Sequence, residues 1–179
     1  MTALVTLTDL QGYKYVLDSV KNSDSWIQFV SEAQLLDVKV QIGDALLNEL
    51  VTQFEGSTLT VANEALLDGG AYVYNDKTYL SQGLKAAIMY YAFGRFTNRT
   101  AFNYTAAGIV VKDSDLSTPI TDKIMQRLET ESRLTADAVM CEVKLFLTRN
   151  YLDYPLWADI YYCGSTRCSD KRRFQVLGD

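Results

Sequence analysis

Histidine is absent from all 179 residues. Without an imidazole, the usual Ser-His-Asp and Cys-His nucleophile arrangements are excluded. Three cysteines and no histidine also fall short of the roughly four Cys or His ligands of a structural zinc site. Only two prolines occur, and both stand where helices are expected to begin or end, which fits a helical core. No run approaches the ~18 apolar residues of a membrane span. The opening MTALVTLTDL lacks the basic start and sustained apolar stretch of a secretory leader. Without export, Asn98-Arg99-Thr100 and Asn103-Tyr104-Thr105 match the glycosylation pattern by chance. A basic excess is missing too: the formal net charge is -5, which argues against a stand-alone nucleic-acid binder drawing its affinity from phosphate.

What is present is 48% hydrophobic residues, enough for one core in a chain too short for two full domains. Charge is unevenly placed. Residues 1–80 carry 11 acids against 4 bases, whereas residues 81–179 carry 11 acids against 13 bases. If the halves present different faces, copies dock head to tail with opposite charges meeting, the heterologous contact that closes rings.

Periodicity predicts mainly α structure, a helical bundle of three to four long helices with short hairpin or loop insertions and an extended carboxyl-terminal arm. Ser25 or Ser31 caps the first helix, and Trp26, Phe29, Val30, Ala33, Leu36, Val40, Leu47, Leu50, Val51 and Phe54 recur at helical spacing. Gly43 is expected to kink or break this run. Residues 57–79 read as a loop insertion, with Thr58-Leu-Thr-Val β-prone and Ala71-Tyr-Val-Tyr forming a strand before a turn at Asn75-Asp76. A second helix from Leu80 buries Leu84, Ala87, Ile88, Tyr91 and Phe96. The insertion at 100–118 is expected to carry a short strand at Gly108–Lys112. Pro119 then opens a long helix to about Asn150, with a stripe of Ile124, Leu128, Leu134, Ala138, Cys141, Leu145 and Leu152. The main domain is expected to span 1–155. Residues 156–179 are too apolar for a disordered tail and too short to fold alone, so they should dock on this domain's own helices or on a neighbouring copy.

The chemistry-bearing patterns are weak. Glu129 with Glu131 stand two apart and do not share a helix face. Asp113 and Asp115 alternate with Ser117 as calcium ligands do, but the glycine and closing glutamate of an EF-hand loop are missing. Gly69-Gly70 is not followed by the lysine and hydroxyl residue of a P-loop. The expectation is therefore no enzyme, no catalytic residue, no metal and no cofactor. A hairpin bringing Cys163 to Cys168 would form a disulfide, though a cytosolic origin would keep both reduced.

Twelve tyrosines are conspicuous, because tyrosine offers a large contact area with one polar tip and is enriched at interfaces. Tyr90 and Tyr91 are expected in the core, and Tyr104, Tyr161 and Tyr162 at an interface. The basic cluster Arg167, Lys171, Arg172 and Arg173 fits an acidic patch on another subunit better than it fits DNA. Together with Thr105, Gly108 and Lys112 in the 100–118 insertion, these residues make up the candidate subunit interface.

Three stretches, Phe29–Leu46, Gly83–Phe96 and Thr105–Lys112, resemble in order and spacing the head-to-tail connector, or adaptor, proteins of tailed bacteriophages, most of all those of Bacteroides phages including crAss-like phages. The resemblance spans about residues 27–155. It implies a structural virion protein that assembles as a homo-oligomeric ring, typically of twelve copies, beneath the portal. Such a ring extends the DNA channel without binding the DNA specifically and docks tail or further ring proteins. It also implies a place at the head-tail junction after assembly in the host cytoplasm, with no membrane partner. In that family the helices form the bundle and a projecting loop corresponds to Thr100–Ser117. A different reading of the same tyrosines is a helical ligand-binding regulatory domain with a tyrosine-rich groove.

Overall fold

The computed structural model describes residues 2–6, 9, 24–100, 102–105, 108–111 and 122–157. The described chain is mainly helical. Helix α1 (Asp24–Ala33) runs through a π turn (Gln34–Val38) into α2 (Lys39–Ile42). Then come α3 (Asp44–Glu55), α4 (Val61–Asp68), strands β1 (Gly70–Tyr74) and β2 (Lys77–Ser81), α5 (Gly83–Thr100), β3 (Phe102–Thr105) and β4 (Gly108–Val111), and α6 (Asp122–Arg149). Each pair of strands forms its own antiparallel hairpin.

The first helical run begins as its periodicity predicts, with Trp26, Phe29, Val30 and Ala33 buried. Ser31 lies inside α1 and does not cap it. Between Ala33 and Gly43 the expected stripe fails: Leu36 and Val40 are exposed, and burial passes to Gln34, Val38 and Ile42, whereas Leu47 and Leu50 past Gly43 are buried as expected. The cause is the π turn, which takes up one more residue than an α turn and so shifts the inward-facing positions one place along the chain. Gln34 fills the turn with a purpose. Its Oε1 accepts from Leu4 N at 2.8 Å and its Nε2 donates to Thr2 O at 3.1 Å, so a buried amide satisfies two backbone groups of the amino-terminal segment and lets Leu4 and Val5 reach the core.

Gly43, at φ 89° and ψ 158°, breaks the run before α3. The Thr58-Leu-Thr-Val stretch is not a strand. Thr60 accepts from Asn63 N and caps α4, an eight-residue helix inside the 57–79 insertion. The buried Asn63 amide donates to Glu49 Oε1 and Gln53 Oε1 at 3.0 and 2.9 Å, fastening α4 to α3. The hairpin that follows has Asn75 and Asp76 at positive φ, the two-residue turn whose twist suits paired strands.

Helix α5 is central. Leu84, Ala86, Ala87, Ile88, Met89, Tyr91 and Ala92 are all buried, which is more than one face of a helix, and α1, α4 and α6 pack around it. Helix α6 meets it through Ser132, Ala136, Val139, Met140, Val143, Phe146 and Leu147, with Ser132 Oγ donating to Tyr90 O at 2.9 Å. The stripe expected for α6 is therefore the wrong one. Ile124, Leu128, Leu134, Ala138, Leu145 and Leu152 are exposed, and Cys141 is only partly buried. At about 100° per residue, the Leu134–Leu145 stripe points away from the core face. Both stripes have helical spacing, and periodicity alone cannot choose between them. Past α6 the chain turns, and Tyr154 is buried with its hydroxyl donating to Ala62 O at 2.5 Å.

The hairpin β1–β2 is closed at its feet by two glycines. A Cβ on Gly83, at φ +81°, would lie 2.5 Å from both Gly69 N and Leu67 O, and one on Gly69 would meet Ser81 O at 2.4 Å. Gly94, where α5 crosses α6, differs: an added Cβ would make ordinary contacts of 3.5 to 3.6 Å with Arg133 and Glu129. Gly83→Ala should therefore destabilise the fold by about 1–3 kcal/mol or more, whereas Gly94→Ala should be neutral or add up to about 1 kcal/mol. Urea unfolding of the two variants checks this contrast, and equal losses would contradict it.

Candidate functional site

Two polar constructions flank α5. Asp37, from the π turn, accepts from Arg95 Nε and Nη2, each at 2.8 Å on Oδ2, while its Oδ1 faces Arg133 Nη2 at 3.4 Å. Arg95 also approaches Glu32 at 3.6 Å, and Arg99 pairs with Glu32 at 2.7 Å. One turn away, Tyr91 OH donates to Asp137 Oδ1 at 2.6 Å and accepts from Gln41 Nε2 at 2.8 Å. The two-pronged Arg95–Asp37 contact is the strong kind of ion pair, while the half-exposed Arg99–Glu32 pair is worth little. These groups cross-link α1, the π turn, α2, α5 and α6. Every carboxylate in the cluster is held by a partner, an arrangement that fixes helices against one another.

At the end of α6, Arg149 gathers the tyrosines of the first hairpin. Its guanidinium lies 3.9 Å from the Tyr79 ring centroid and 5.5 Å from that of Tyr74, and Nη1 donates to Tyr72 OH at 2.7 Å. Tyr72 stacks on Tyr79 and meets Phe146 edge to face, with centroids 5.7 and 4.9 Å apart. Tyr72, Tyr74 and Tyr79 thus spend their faces within the chain. Strand alternation puts Ala71, Val73, Thr78 and Leu80 on the opposite side, where Val73 is 68% and Leu80 78% exposed.

Of the residues the sequence nominated for an interface, the structure brings three together. Tyr104 and Thr105 lie on β3 and Gly108 on β4, with Tyr104 opposite Ile109 and Thr105 opposite Gly108. The strand anticipated in the 100–118 insertion is one arm of this second hairpin. Lys112, Tyr161, Tyr162, Arg167, Lys171, Arg172 and Arg173 lie outside the described residues, as do Asp113, Asp115, Cys163 and Cys168. Tyr91 is buried and Tyr90 half-buried. Glu129 and Glu131 turn to different arginines, Arg133 at 3.5 Å and Arg127 at 2.9 Å, and do not act as a pair. Among the described residues no group of His, Cys, Asp or Glu is placed to hold a metal ion, and no helix is long and apolar enough to cross a membrane.

Sequence reasoning missed the outward face of β1–β2. The signal was available in the alternation of Tyr72, Tyr74 and Tyr79 against Ala71, Val73 and Leu80, but both sets are apolar enough to pass for a core face. It also assigned the exposed stripe of α6 to the interior.

The molecule so described is a mainly helical domain with two hairpins and apolar surface left open on the first hairpin and on α6. The chain belongs to a family of unknown function, DUF6712, whose match covers residues 38–167 and thus takes in every element from α2 to α6. No match was found among curated proteins or among solved structures.

Three groups tie stability to alkaline pH. Burial, then the bond to Asp137, pushes the Tyr91 phenol well above its ordinary value of 10.0. Burial, then the Asp153 charge, does the same to Tyr154. Burial pulls Lys85 down, but Asp68 at 2.6 Å and Asp9 at 3.7 Å outweigh it and leave the ammonium raised. A raised native value means that the unfolded chain loses its proton first. The stabilisation is complete below about pH 10 and is lost as pH climbs toward the native values. The melting temperature should therefore fall from about pH 10 upward. Tyr91→Phe should flatten that fall while lowering stability near neutrality by about 1 kcal/mol; an unchanged alkaline slope in this variant would contradict the assignment.

Proposed function

We propose that this chain is a structural virion subunit that forms a homo-oligomeric ring between portal and tail, extends the DNA channel and docks tail components, and that it acts as no enzyme. In this reading α1, α3, α5 and α6 serve as a bundle of three to four long helices. The observation that carries it is the β1–β2 hairpin, held to its own core by one face and presenting Ala71, Val73, Thr78 and Leu80 on the other. Contiguous exposed apolar surface of this kind marks an association site. The resemblance of Phe29–Leu46, Gly83–Phe96 and Thr105–Lys112 to head-tail connectors supplies the particular setting. The second hairpin, with Tyr104, Thr105 and Gly108, corresponds to the projecting loop, and its outer strand edges, which pair with no other strand among the described residues, offer backbone groups to a neighbour or to the portal. The acidic first half and basic second half give each copy two different surfaces, as a heterologous ring requires. The basic run Arg167, Lys171, Arg172 and Arg173 supplies charge toward an acidic neighbour.

Native mass spectrometry of the purified protein, alone and mixed with a portal protein from the same genome, tests this proposal. Assembly into a ring, alone or on the portal, is expected. Val73→Glu with Leu80→Lys should abolish assembly and leave the melting temperature within a few degrees, because both side chains are exposed. A wild-type chain that stays monomeric and ignores portal defeats the reading.

A further inference from the structure

The face of α6 turned away from the core carries a pattern that is symmetric about its middle. Ile124, Glu131, Ala138 and Leu145 recur every seven residues, and Arg127 and Leu134 stand three beyond the first two, the seam spacing of helices that pair side by side. At about 100° per residue these six fall within about 80° of one another, roughly 130° around the helix from the mean direction of Ser132, Ala136, Val139 and Val143. They are open to solvent: Ile124 is 50%, Leu134 49% and Leu145 44% exposed, and the Arg127 side chain 79%. Glu142, in line with Ile124 around the helix, is exposed as well, and no described residue forms an ion pair with it. Two sets of residues stand equally far from the Leu134–Thr135 peptide, one member on each side: the apolar Ile124 and Leu145, and the oppositely charged Arg127 and Glu142. When a helix packs antiparallel on a copy of itself about a two-fold axis, residues equidistant from the axis meet, and each contact is made twice.

We propose that α6 pairs antiparallel with α6 of a second copy of this chain, in the register that sets Arg127 opposite Glu142 and Ile124 opposite Leu145. Charge complementarity names the occupant. Reversed end for end, the α6 face offers an acid where it offered a base and an aliphatic side chain where it offered an aliphatic one, a match that a second copy supplies at both ends at once. The Leu134 side chains of the two copies meet at the centre, and Glu131 comes opposite Ala138. Arg127 then lies between Glu131 of its own chain, which it already reaches at 2.9 Å, and Glu142 of the second copy. Removing the aliphatic side chains from water supplies the affinity, while the two ion pairs, exposed and each worth little, fix direction and register. The contact runs from Ile124 to Leu145, about 32 Å of helix, and closes at two copies. It uses a face apart from the β1–β2 hairpin and does not rest on the ring reading.

Sedimentation equilibrium of the full chain carrying Val73→Glu and Leu80→Lys tests this with association through the hairpin removed. A monomer–dimer equilibrium is expected, with a Kd of about 10–100 μM, as a small interface gives. In that parent, a further Arg127→Glu sets two acids opposite each other at each end of the pair, and Glu142→Arg sets two bases there. Each reversal alone should weaken the dimer by about tenfold or more. Mixing the two reversed chains in equal amounts brings opposite charges together again at both ends, so the mixture should dimerise within about threefold of the parent. Leu134→Lys should abolish the dimer and leave the melting temperature near that of the parent, because the side chain is half exposed. A parent that stays monomeric at about 1 mM, single reversals that dimerise as the parent does, or a mixture as weak as its components each overturns the proposal.

Discussion

Helix α5 is buried on so much of its circumference that its neighbours are arranged around it. Ala86, Ala87 and Ala92 keep its surface low, which lets other helices approach closely, and Leu84, Ile88 and Met89 fill the spaces between them. A low, largely covered helix has a cost elsewhere. Its three neighbours can each bury only the face turned toward it, so their outer faces are left to solvent, to other parts of the chain or to other molecules. The open apolar surface on α6 follows from a small domain having one central helix.

Around this apolar centre, polar groups fix the angle at which the helices meet. Hydrophobic burial is non-directional and would tolerate α1 and α6 sliding along α5. The Asp37 contacts with Arg95 and Arg133 and the Gln41–Tyr91–Asp137 chain are directional and bridge separate elements, so they restrict that sliding. The π turn is part of the same solution, because it carries Asp37 toward the two arginines while bringing Gln34 inward to meet Thr2 and Leu4. A regular α-helix with this sequence would rotate one of those two side chains out of place.

Legibility from sequence followed this physics. Residues whose environment is set within one turn were readable: the stripe from Trp26 to Ala33, the break at Gly43, the Asn75-Asp76 turn, and Leu84, Ala87, Ile88 and Tyr91 on α5. The failures arose where a distant contact decides. Leu36 and Val40 left the core because of a π turn whose filling depends on Thr2 and Leu4, thirty or more residues away. Helix α4 was hidden because eight residues hold too little periodicity, and its cap at Thr60 sits in a Thr-rich stretch that also suits a strand. On α6, two stripes of equal spacing were present, and only the position of α5 selects Ala136, Val139, Val143 and Phe146 over Leu134, Ala138 and Leu145. Of the nominated interface, Tyr104, Thr105 and Gly108 share a hairpin because a short turn brings their strands together, a local matter again. The two faces of β1–β2 were legible as alternation, but not which of them turns outward, because the inward partner is Arg149, a charged residue that no apolar pattern would assign to a hairpin's underside.

That last pairing explains why the hairpin is two-faced. An arginine among tyrosines satisfies the ring faces and one hydroxyl at once, so the polar-capable residues turn inward and the aliphatic ones turn outward, the reverse of an ordinary solvated hairpin. A two-stranded hairpin is marginal alone, and this one relies on Arg149 and Phe146 beneath and on the glycine clasp at its feet. Anchored in that way, it can leave Val73 and Leu80 uncovered without losing its shape, and a rigid apolar face binds at a lower entropic cost than one that must first be ordered.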